Sequence, residues 1–421
     1  MVSDHRCHAF PTSKAPNLPA RDQQSCTAET IFAGPFMRKL LINGWFWGRT
    51  DTGSGQYLHG LIWHLARALD DWQLVMLIPP IYGDYRLPAP PPGVQKIRAP
   101  LPFWAINAQL VKLAWEQKVF PRWARCVHAD VAFVPYWASP LRIDIPVAVT
   151  IHDMIPVLLE HYASGLLARA YTRLVSKSAQ NAEAIFTVSQ SAAKDIAHLL
   201  SIPPDKIHVT YESLGVPHAP VTNEDELARI RAEYDLPERY LFYLGGFDPR
   251  KNVPLLLEAY ARARKSRPGL PPLLIAGKLP NPKNTWFTDP RPIIQRLELS
   301  DHVRTLGFVP DSHKPALYTL AELFLFPSRY EGFGMPPLEA MACGTPALVA
   351  DNSSLPEITG GIVATIPTDD TDALARAIWA TLDAPPAPQA LIDQANRFSW
   401  EDTAARTVAV LRALANRTNH R

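Results

Sequence analysis

The chain has 421 residues, of which 47% are hydrophobic, and its formal net charge is +2. This length exceeds one ordinary hydrophobic core and predicts two domains. The composition is typical of a folded protein, and the nearly balanced charge excludes a globally basic nucleic-acid-binding protein.

The first 36 residues are polar and contain several prolines, which predicts a disordered lead-in. They lack the apolar core of a signal peptide, and no run of about 18 apolar residues occurs in the sequence. The four cysteines form no C-x-x-C pair, so neither a zinc site nor a disulfide framework is indicated. We expect a cytoplasmic protein and leave open a peripheral contact with the inner face of a membrane.

Short apolar strands alternate with helices through residues 37–218, which predicts a parallel sheet with crossover helices in an N-terminal, acceptor-side domain. The first strand is expected in RKLLINGWFWG, ending at Gly44 or Gly48, and is followed by strands at 75–80, 131–137, 146–153, 184–189 and 207–215. The helices are expected at 104–125, 164–181 and 190–200.

The same alternation restarts in residues 219–399 and predicts a second doubly wound unit. Its strands are expected at 240–246, 272–277, 303–309, 323–328, 345–351 and 361–366. The last segment, residues 400–421, begins with a capping signal and is expected to be a helix that packs back toward the N-terminal domain.

Two carboxylates stand in the segment SRYEGFGMPPLEAMACG at Glu331 and Glu339. Proline favours the first turn of a helix, so a helix is expected from near Pro336 to Gly344, with Glu339 in its first turn. The segment offers one acid for sugar hydroxyls, backbone amides for phosphate and a second acid for ribose. Either acid taken singly favours a solvated surface or capping role, but glycines and paired prolines around two acids serve no obvious packing need, so the whole segment favours a binding site.

A second motif, YLGGFDPRKN, places Arg250 and Lys251 between a predicted strand and a helix. Two cations on such a loop can hold a diphosphate, the arginine as a planar fork and the lysine as a point charge. The alternative is a pair of ordinary surface cations.

Two weaker signals occur in the first half. Gly53-Ser54-Gly55 precedes an amphipathic helix and predicts either a phosphate-facing loop or a helix cap, because the full dinucleotide fingerprint is missing. His152-Asp153 ends a predicted strand, which favours a cleft-lining pair over a structural histidine.

The acidic run Asp369-Asp370-Thr371-Asp372 precedes a helical stretch and is interpreted as its N-terminal cap, not as a metal site. Basic and aromatic residues mix in two helical stretches, which predicts either membrane contact or ordinary core packing. These residues are Trp104, Trp115, Phe120, Trp123, Arg169, Arg173 and Lys177.

Together, YLGGFDPRKN, EGFGMPPLEAMACGTP, the GSG loop and IHD followed by FTVSQSAAKDI resemble the retaining glycosyltransferases of family 4 (glycosyl transferases group 1). The resemblance covers about residues 38–415. It implies an α/β chain of the GT-B fold, with two doubly wound Rossmann-like domains facing a central cleft. It also implies no metal and no cofactor other than a nucleotide-diphosphate sugar donor.

The resemblance assigns roles by position. Arg250 and Lys251 match the pair that neutralises the donor diphosphate, and Glu331 matches the acid beside the sugar hydroxyls. Glu339 matches the ribose-binding acid, and His152 matches a residue near the reaction centre. Further donor-binding positions are Gly53, Gly55, Gly246, Phe308, Val309, Gly332, Phe333, Gly334 and Met335.

One departure concerns the first glycine loop, because many members carry an arginine where this chain has Gln56. The sequences of the two main motifs are most similar to those of family members that use GDP-mannose, so GDP-mannose is favoured over a UDP-sugar as the donor. The function implied is transfer of a hexose, mannose by preference, to a glycan or lipid-linked acceptor. The alternatives are a nucleotide-sugar-binding protein without transferase activity and another GT-B enzyme such as a nucleotide-sugar epimerase.

Overall fold

The computed structural model describes residues 37–80, 87–101, 108–159, 165–284 and 286–418. The predicted lead-in at residues 1–36 lies outside these ranges. The chain divides into two compact units. One unit contains the described residues up to Val188, residues Ala192–Gly215 and the chain from Trp400, and the other contains Ser189–Ser191 and Val216–Ser399.

The sheet of the first unit has seven parallel strands in the order β3-β2-β1-β4-β5-β6-β7. The strands are β1 Arg38–Asn43, β2 Trp72–Ile78, β3 Val94–Arg98, β4 Val131–Val134, β5 Val147–Thr150, β6 Ala184–Thr187 and β7 Ile207–Val209. The helices between them are α1 Gly53–Ala68, α2 Ala108–Ala114, α3 Phe120–Cys126, α4 Ile155–Leu158, α5 Leu166–Asn181 and α6 Gln190–Leu200. The strand order reverses between β1 and β4, as in doubly wound sheets.

The sheet of the second unit has six parallel strands in the order β10-β9-β8-β11-β12-β13. They are β8 Leu241–Leu244, β9 Leu273–Ala276, β10 Val303–Gly307, β11 Leu323–Phe326, β12 Ala347–Ala350 and β13 Ala364–Ile366. The helices are α7 Glu224–Glu233, α8 Val253–Ser266, α9 Pro290–Arg296, α10 Lys314–Thr319, α11 Met335–Ala342, α12 Leu355–Thr359, α13 Thr371–Asp383 and α14 Pro388–Ala395. A final helix, α15, spans Trp400–Thr418 and belongs to the first unit.

Helix α15 lies close against α1. A Cβ atom on Gly60 of α1 would come within 2.2 Å of the Trp400 ring, so this contact requires a glycine. The Trp400 indole also donates a hydrogen bond to the Leu214 carbonyl at 3.0 Å. The last helix is therefore held to the first unit by both packing and a partly buried hydrogen bond.

The alternation of parallel strands and helices confirms the predicted α/β class. Strand β3 was missed, because VQKIR lies at the sheet edge and has no regular apolar alternation. The helix predicted at 104–125 is interrupted: α2 and α3 are joined by a π-helical turn at Trp115–Val119.

The aromatic residues of this interrupted helix pack inward. Trp115 and Phe120 are fully buried, and Trp123 packs against the same core, while Trp104 lies outside the described residues. Core packing is thus the observed role of the three described side chains. Within the described ranges, no helix has the length and apolarity needed to cross a bilayer.

Candidate functional site

Arg250 and Lys251 lie in a short 3-10 turn, Pro249–Lys251, between β8 and α8. Proline fixes the start of the turn, and Asn252 ends it in the left-handed region with φ of 56°. The side-chain amide of Asn252 donates a hydrogen bond to the Thr368 carbonyl at 3.0 Å. This backbone turns both cations inward, and each residue is only 6% exposed.

The two cations meet one carboxylate. Glu331 follows β11, and its Oε2 lies 2.6 Å from an Arg250 guanidinium nitrogen, while its Oε1 lies 2.6 Å from Lys251 Nζ. The Ser328 hydroxyl donates to Oε1 at 2.6 Å. The structure therefore joins the two predicted motifs, 80 residues apart, in a single buried cluster.

The cluster strongly favours the charged form of Glu331. Burial alone would raise the pKa of this carboxyl, but Arg250 and Lys251 outweigh burial and lower it to about 2. Burial and the neighbouring Arg250 lower the pKa of Lys251, and Glu331 opposes them. The carboxylate thus stabilises two cations that would otherwise be buried without sufficient countercharge.

Arg250 has partners on several sides. Its Nε lies 3.0 Å from Asp248, its guanidinium donates to the Tyr330 carbonyl at 3.0 Å, and it pairs with Glu331. Lys251 pairs with Glu331 and also lies 4.6 Å from the centre of the Phe326 ring. Within this cluster, the arginine fixes the loop that carries Glu331, and the lysine makes fewer fixed contacts.

The loop from Gly332 to Met335 leads into α11. Gly334 has φ of +116°, and a Cβ atom there would approach Leu355 Cδ2 to 2.9 Å, so the position requires glycine. Phe333 is 5% exposed and packs edge-on against Phe398 at 5.5 Å. The predicted helix is confirmed with its start at Met335.

Glu339 lies just beyond the first turn of α11, so its placement in that turn was wrong by one residue, because the helix starts one residue earlier than expected. The Tyr318 hydroxyl donates to Oε2 at 2.8 Å, and Oε1 lies 3.7 Å from Lys314 Nζ and 4.0 Å from His218 Nε2. Burial opposes the charge of Lys314, yet Glu339 and Asp311 raise the pKa of this lysine.

The remaining predicted positions of the second unit lie at strand ends. Gly246 follows β8, and its carbonyl accepts from the Tyr243 hydroxyl at 2.6 Å. Phe308 and Val309 follow β10. Phe308 is 73% exposed, whereas Val309 is 4% exposed.

In the first unit, His152 lies two residues beyond β5. Its Nδ1 is 3.0 Å from Glu212 Oε1, and its Nε2 is 3.4 Å from the Pro135 carbonyl. The Tyr57 ring packs edge-on against the imidazole at 4.7 Å. Asp153 accepts a hydrogen bond at 3.0 Å from the backbone amide of Ile155, the first residue of α4.

Gly53 and Gly55 lie in the first turn of α1. The Thr52 side chain accepts from the Gly55 amide at 3.2 Å, which is an N-cap interaction. A Cβ atom on Gly55 would lie 1.8 Å from the Arg49 carbonyl oxygen, so close packing by itself requires this glycine.

Asp370 is the N-cap of α13, and its side chain accepts from the Ala373 amide at 2.8 Å. This confirms the capping interpretation of the acidic run. In the described part of the chain, no three His, Cys, Asp or Glu side chains are grouped as a metal site.

The first unit contains a buried acid that the sequence did not single out. Glu116 is fully buried in the π-helical turn, and the Tyr171 hydroxyl lies 3.0 Å from both its oxygens. Lys112 Nζ is 3.8 Å away. Burial raises the pKa of Glu116 to about 7, although Lys112 and Tyr171 oppose the rise.

Comparison with known proteins gives consistent matches. The model of the family "Glycosyl transferases group 1" matches residues 226–398, and the model "Glycosyltransferase Family 4" matches residues 52–213. The O-antigen chain mannosyltransferase B of Escherichia coli is 30% identical over 66% of this chain and 73% of its own length. The serotype-specific mannosyltransferase WbdA of Escherichia coli is 30% identical over 60% of this chain, which spans 32% of that longer protein.

Solved structures share the architecture. The sucrose-phosphate synthase (tll1590) of Thermosynechococcus elongatus has a TM-score of 0.70 at 20% identity, over 90% of this chain and 99% of that one. Anabaena Alr3699/HepE, in complex with UDP and glucose, has a TM-score of 0.65 at 16% identity, over 89% of this chain and 99% of that one. These likenesses confirm the expected fold, two Rossmann-like domains of the GT-B type.

Proposed function

The chain belongs to glycosyltransferase family 4 and is a glycosyltransferase, and on that premise we propose that it transfers mannose from GDP-mannose with retention of anomeric configuration. The acceptor is a glycan or a lipid-linked glycan, and no metal ion takes part. The mannosyl assignment is supported by the mannosyltransferases that this chain is similar to. The choice of GDP-mannose rests on the similarity of the motifs YLGGFDPRKN and YEGFGMPPLEAMACG to those of family members that use GDP-mannose.

The observation that carries the donor assignment is the buried cluster of Arg250, Lys251 and Glu331 in the second unit. Lys251 is the cation that receives the diphosphate, because its ammonium group is a point charge held by one carboxylate. Arg250 acts mainly by fixing the loop of Glu331, because its guanidinium group already pairs with Asp248 and donates a hydrogen bond to the Tyr330 carbonyl. This makes the role of Arg250 more indirect than the family pattern implies.

The ribose and base are assigned to the same unit. Tyr318 occupies Oε2 of Glu339, whereas Oε1 has no hydrogen-bond donor within 3.5 Å among the described residues. Oε1 is therefore the oxygen we assign to a ribose hydroxyl. The exposed ring of Phe308 is available to stack on the nucleobase.

Two further groups support charge stabilisation without a metal. Helix α11 follows the glycine loop at Gly332–Gly334, and a helix N-terminus carries a partial positive charge suited to phosphate. From the first unit we assign a role to His152 and to the helix start at Gly53 and Gly55, on the basis of the family pattern.

The proposed step is a front-face substitution. The bond between the anomeric carbon and the diphosphate oxygen breaks, and the acceptor hydroxyl oxygen bonds to the same face of that carbon. The acceptor proton passes to the departing diphosphate, which leaves as the nucleoside diphosphate. The protein then supplies positioning and stabilises the departing charge.

The test is a transfer assay with GDP-mannose or UDP-glucose, simple mannosides and lipid extracts as acceptors, with and without EDTA. The proposal predicts a mannosylated product and GDP, with the same rate in EDTA and an unchanged anomeric configuration by NMR. Free UDP without acceptor would favour an epimerase. Tight GDP-mannose binding without product would favour a binding protein.

A contact with membranes is proposed at α5. Leu166 and Leu167 at its start are 81% and 73% exposed, and Arg169, Arg173 and Lys177 follow at four-residue spacing with exposed side chains. Exposed leucines beside a basic stripe suit an anionic lipid surface. The wild type should sediment with phosphatidylserine vesicles at low salt and the double variant Leu166→Ser, Leu167→Ser should not. Equal recovery of both proteins in the supernatant would refute the contact.

A further inference from the structure

His152 and Glu212 form a largely buried pair at the carboxyl edge of the first sheet. His152 follows β5 and Glu212 follows β7. Because β6 lies between these two strands, the contact joins two loops that are separated by one strand of the sheet. The Nδ1–Oε1 distance is 3.0 Å, and the two side chains are 16% and 11% exposed. Within the described residues, His152 is the one basic side chain in ion-pair range of Glu212.

Both ring nitrogens of His152 face oxygen atoms, and both of these oxygens accept when Glu212 is ionised. Nδ1 faces the Glu212 carboxylate, and Nε2 faces the Pro135 carbonyl at 3.4 Å. A ring with hydrogens on both nitrogens satisfies both neighbours, whereas either neutral form leaves one lone pair opposite an acceptor. The charge balance agrees, because a nearly buried carboxylate is costly without a positive partner.

The surroundings fix the plane of the ring but leave one hydrogen bond weak. The Tyr57 ring lies edge-on to the imidazole at 81°, and Tyr57 is itself 1% exposed, so its position is set by the core. The contact from Nε2 to Pro135 is 3.4 Å, near the outer limit for a hydrogen bond. An incoming oxygen can therefore replace this carbonyl at small cost.

We propose that Glu212 is a positioning residue that holds His152 as an oriented hydrogen-bond donor, with Nε2–H available to an oxygen of the nucleotide sugar. His152 then does not act as a general base, because Nε2 carries a hydrogen before substrate binds. The inference rests on the proposed function in one respect, the participation of His152 in the reaction.

The protonation state is tested without turnover. Long-range proton–nitrogen NMR spectra of the full chain, labelled with nitrogen-15 in histidine, distinguish a ring with two N–H groups from either neutral form. The variant His152→Asn identifies the resonance by its loss. We expect two N–H groups in wild type and in Glu212→Asp, which keeps the carboxylate, and the loss of one N–H group in Glu212→Gln. A wild-type ring with an unprotonated Nε2 would overturn the proposal.

The link to catalysis is tested by kinetics. Glu212→Gln should lower kcat by roughly 10-fold to 100-fold, as is typical for partners that orient a functional histidine, with little change in KM for the donor. Glu212→Asp should recover part of this loss. Adding Glu212→Gln to His152→Asn should cost nothing further, because the glutamate acts through the histidine.

The possible failures are distinguishable. Independent, multiplying effects of the two substitutions on kcat would refute a role for Glu212 through His152, even if transfer itself is confirmed. Unchanged turnover in both single variants, with the expected NMR signature, would also refute the positioning role. If the wild type transfers no sugar, the proposed function fails, and the NMR spectra still decide whether Glu212 holds the ring in the doubly protonated form.

Discussion

The substitution Glu331→Gln removes one negative charge from between two buried cations and changes almost no volume. A carboxyl pKa lowered from 4.5 to about 2 corresponds to about 3 kcal/mol in favour of the charged form. Breaking a buried ion pair by removal of one partner costs a similar amount, about 3–5 kcal/mol. We therefore expect the variant to lose about 3 kcal/mol of unfolding free energy near neutral pH, measured by urea denaturation of the ligand-free protein.

The matched control is Asp383→Asn, because Asp383 pairs with Arg267 where both side chains are about half exposed. Exposed pairs contribute about 0–1 kcal/mol, so this variant should stay close to wild type. The stabilising contribution of Glu331 is present above pH 4.5 and lost as the pH falls toward 2, so the difference between Glu331→Gln and wild type should shrink in that window. A loss below 1 kcal/mol at neutral pH would refute the electrostatic account of the cluster.

The same variant also reports on ligand binding. If Lys251 receives a diphosphate, GDP supplies the negative charge that Glu331→Gln has lost. GDP, which lacks the sugar, should then raise the Tm of Glu331→Gln by more than it raises that of wild type. A smaller Tm shift in the variant would contradict the assignment of Lys251 to the diphosphate.

Three further substitutions test separate parts of the structure. Gly55→Ala should cost about 1–3 kcal/mol in urea denaturation, because its Cβ would meet the Arg49 carbonyl. Tyr318→Phe should weaken GDP binding by roughly 10-fold in calorimetry, since Glu339 loses its donor at Oε2. Glu116→Gln should match wild type near pH 4.5, become the more stable protein as the pH rises from 4.5 toward 7, and keep a constant advantage above 7. The reason is that a raised carboxyl pKa costs wild type stability only where the unfolded carboxyl is ionised.

Each of these has a comparison that isolates its cause. Gly215→Ala adds a Cβ with no atom within 4 Å and should be nearly neutral; equal losses at both glycines would exclude the Arg49 contact as the reason. Tyr260→Phe removes a hydroxyl that bonds the Pro271 carbonyl and should leave GDP affinity unchanged. For Glu116→Gln, parallel stability curves from pH 5 to pH 8 would contradict the raised pKa.

Much of the fold was predictable because it depends on local patterns. Short apolar runs and intervening helices are visible in the sequence, and the paired prolines indicated the start of α11 to within one residue. Edge strand β3 was not predictable. An edge strand is less buried than a central one, so its sequence, here VQKIR, need not show the apolar pattern by which strands are recognised.

The site was predictable in its residue types but not in its contacts. The sequence indicated Arg250, Lys251 and Glu331 as separate ligand-binding groups. Their mutual pairing across 80 residues depends on the adjacency of β8 and β11, which no local pattern reveals. The same holds for Tyr318 beside Glu339, and the roles of all these residues stay predictions.

The central claim is that the second unit binds a nucleoside diphosphate through Lys251. Its most direct test is thermal unfolding of wild type and Lys251→Met against GDP, UDP and ADP, each with magnesium or EDTA. At 100 times its Kd a ligand stabilises by about 2.7 kcal/mol. The account predicts that GDP raises the Tm of wild type equally in magnesium and EDTA and has little effect on Lys251→Met. No shift with any nucleotide, or an equal GDP shift in the variant, would contradict it.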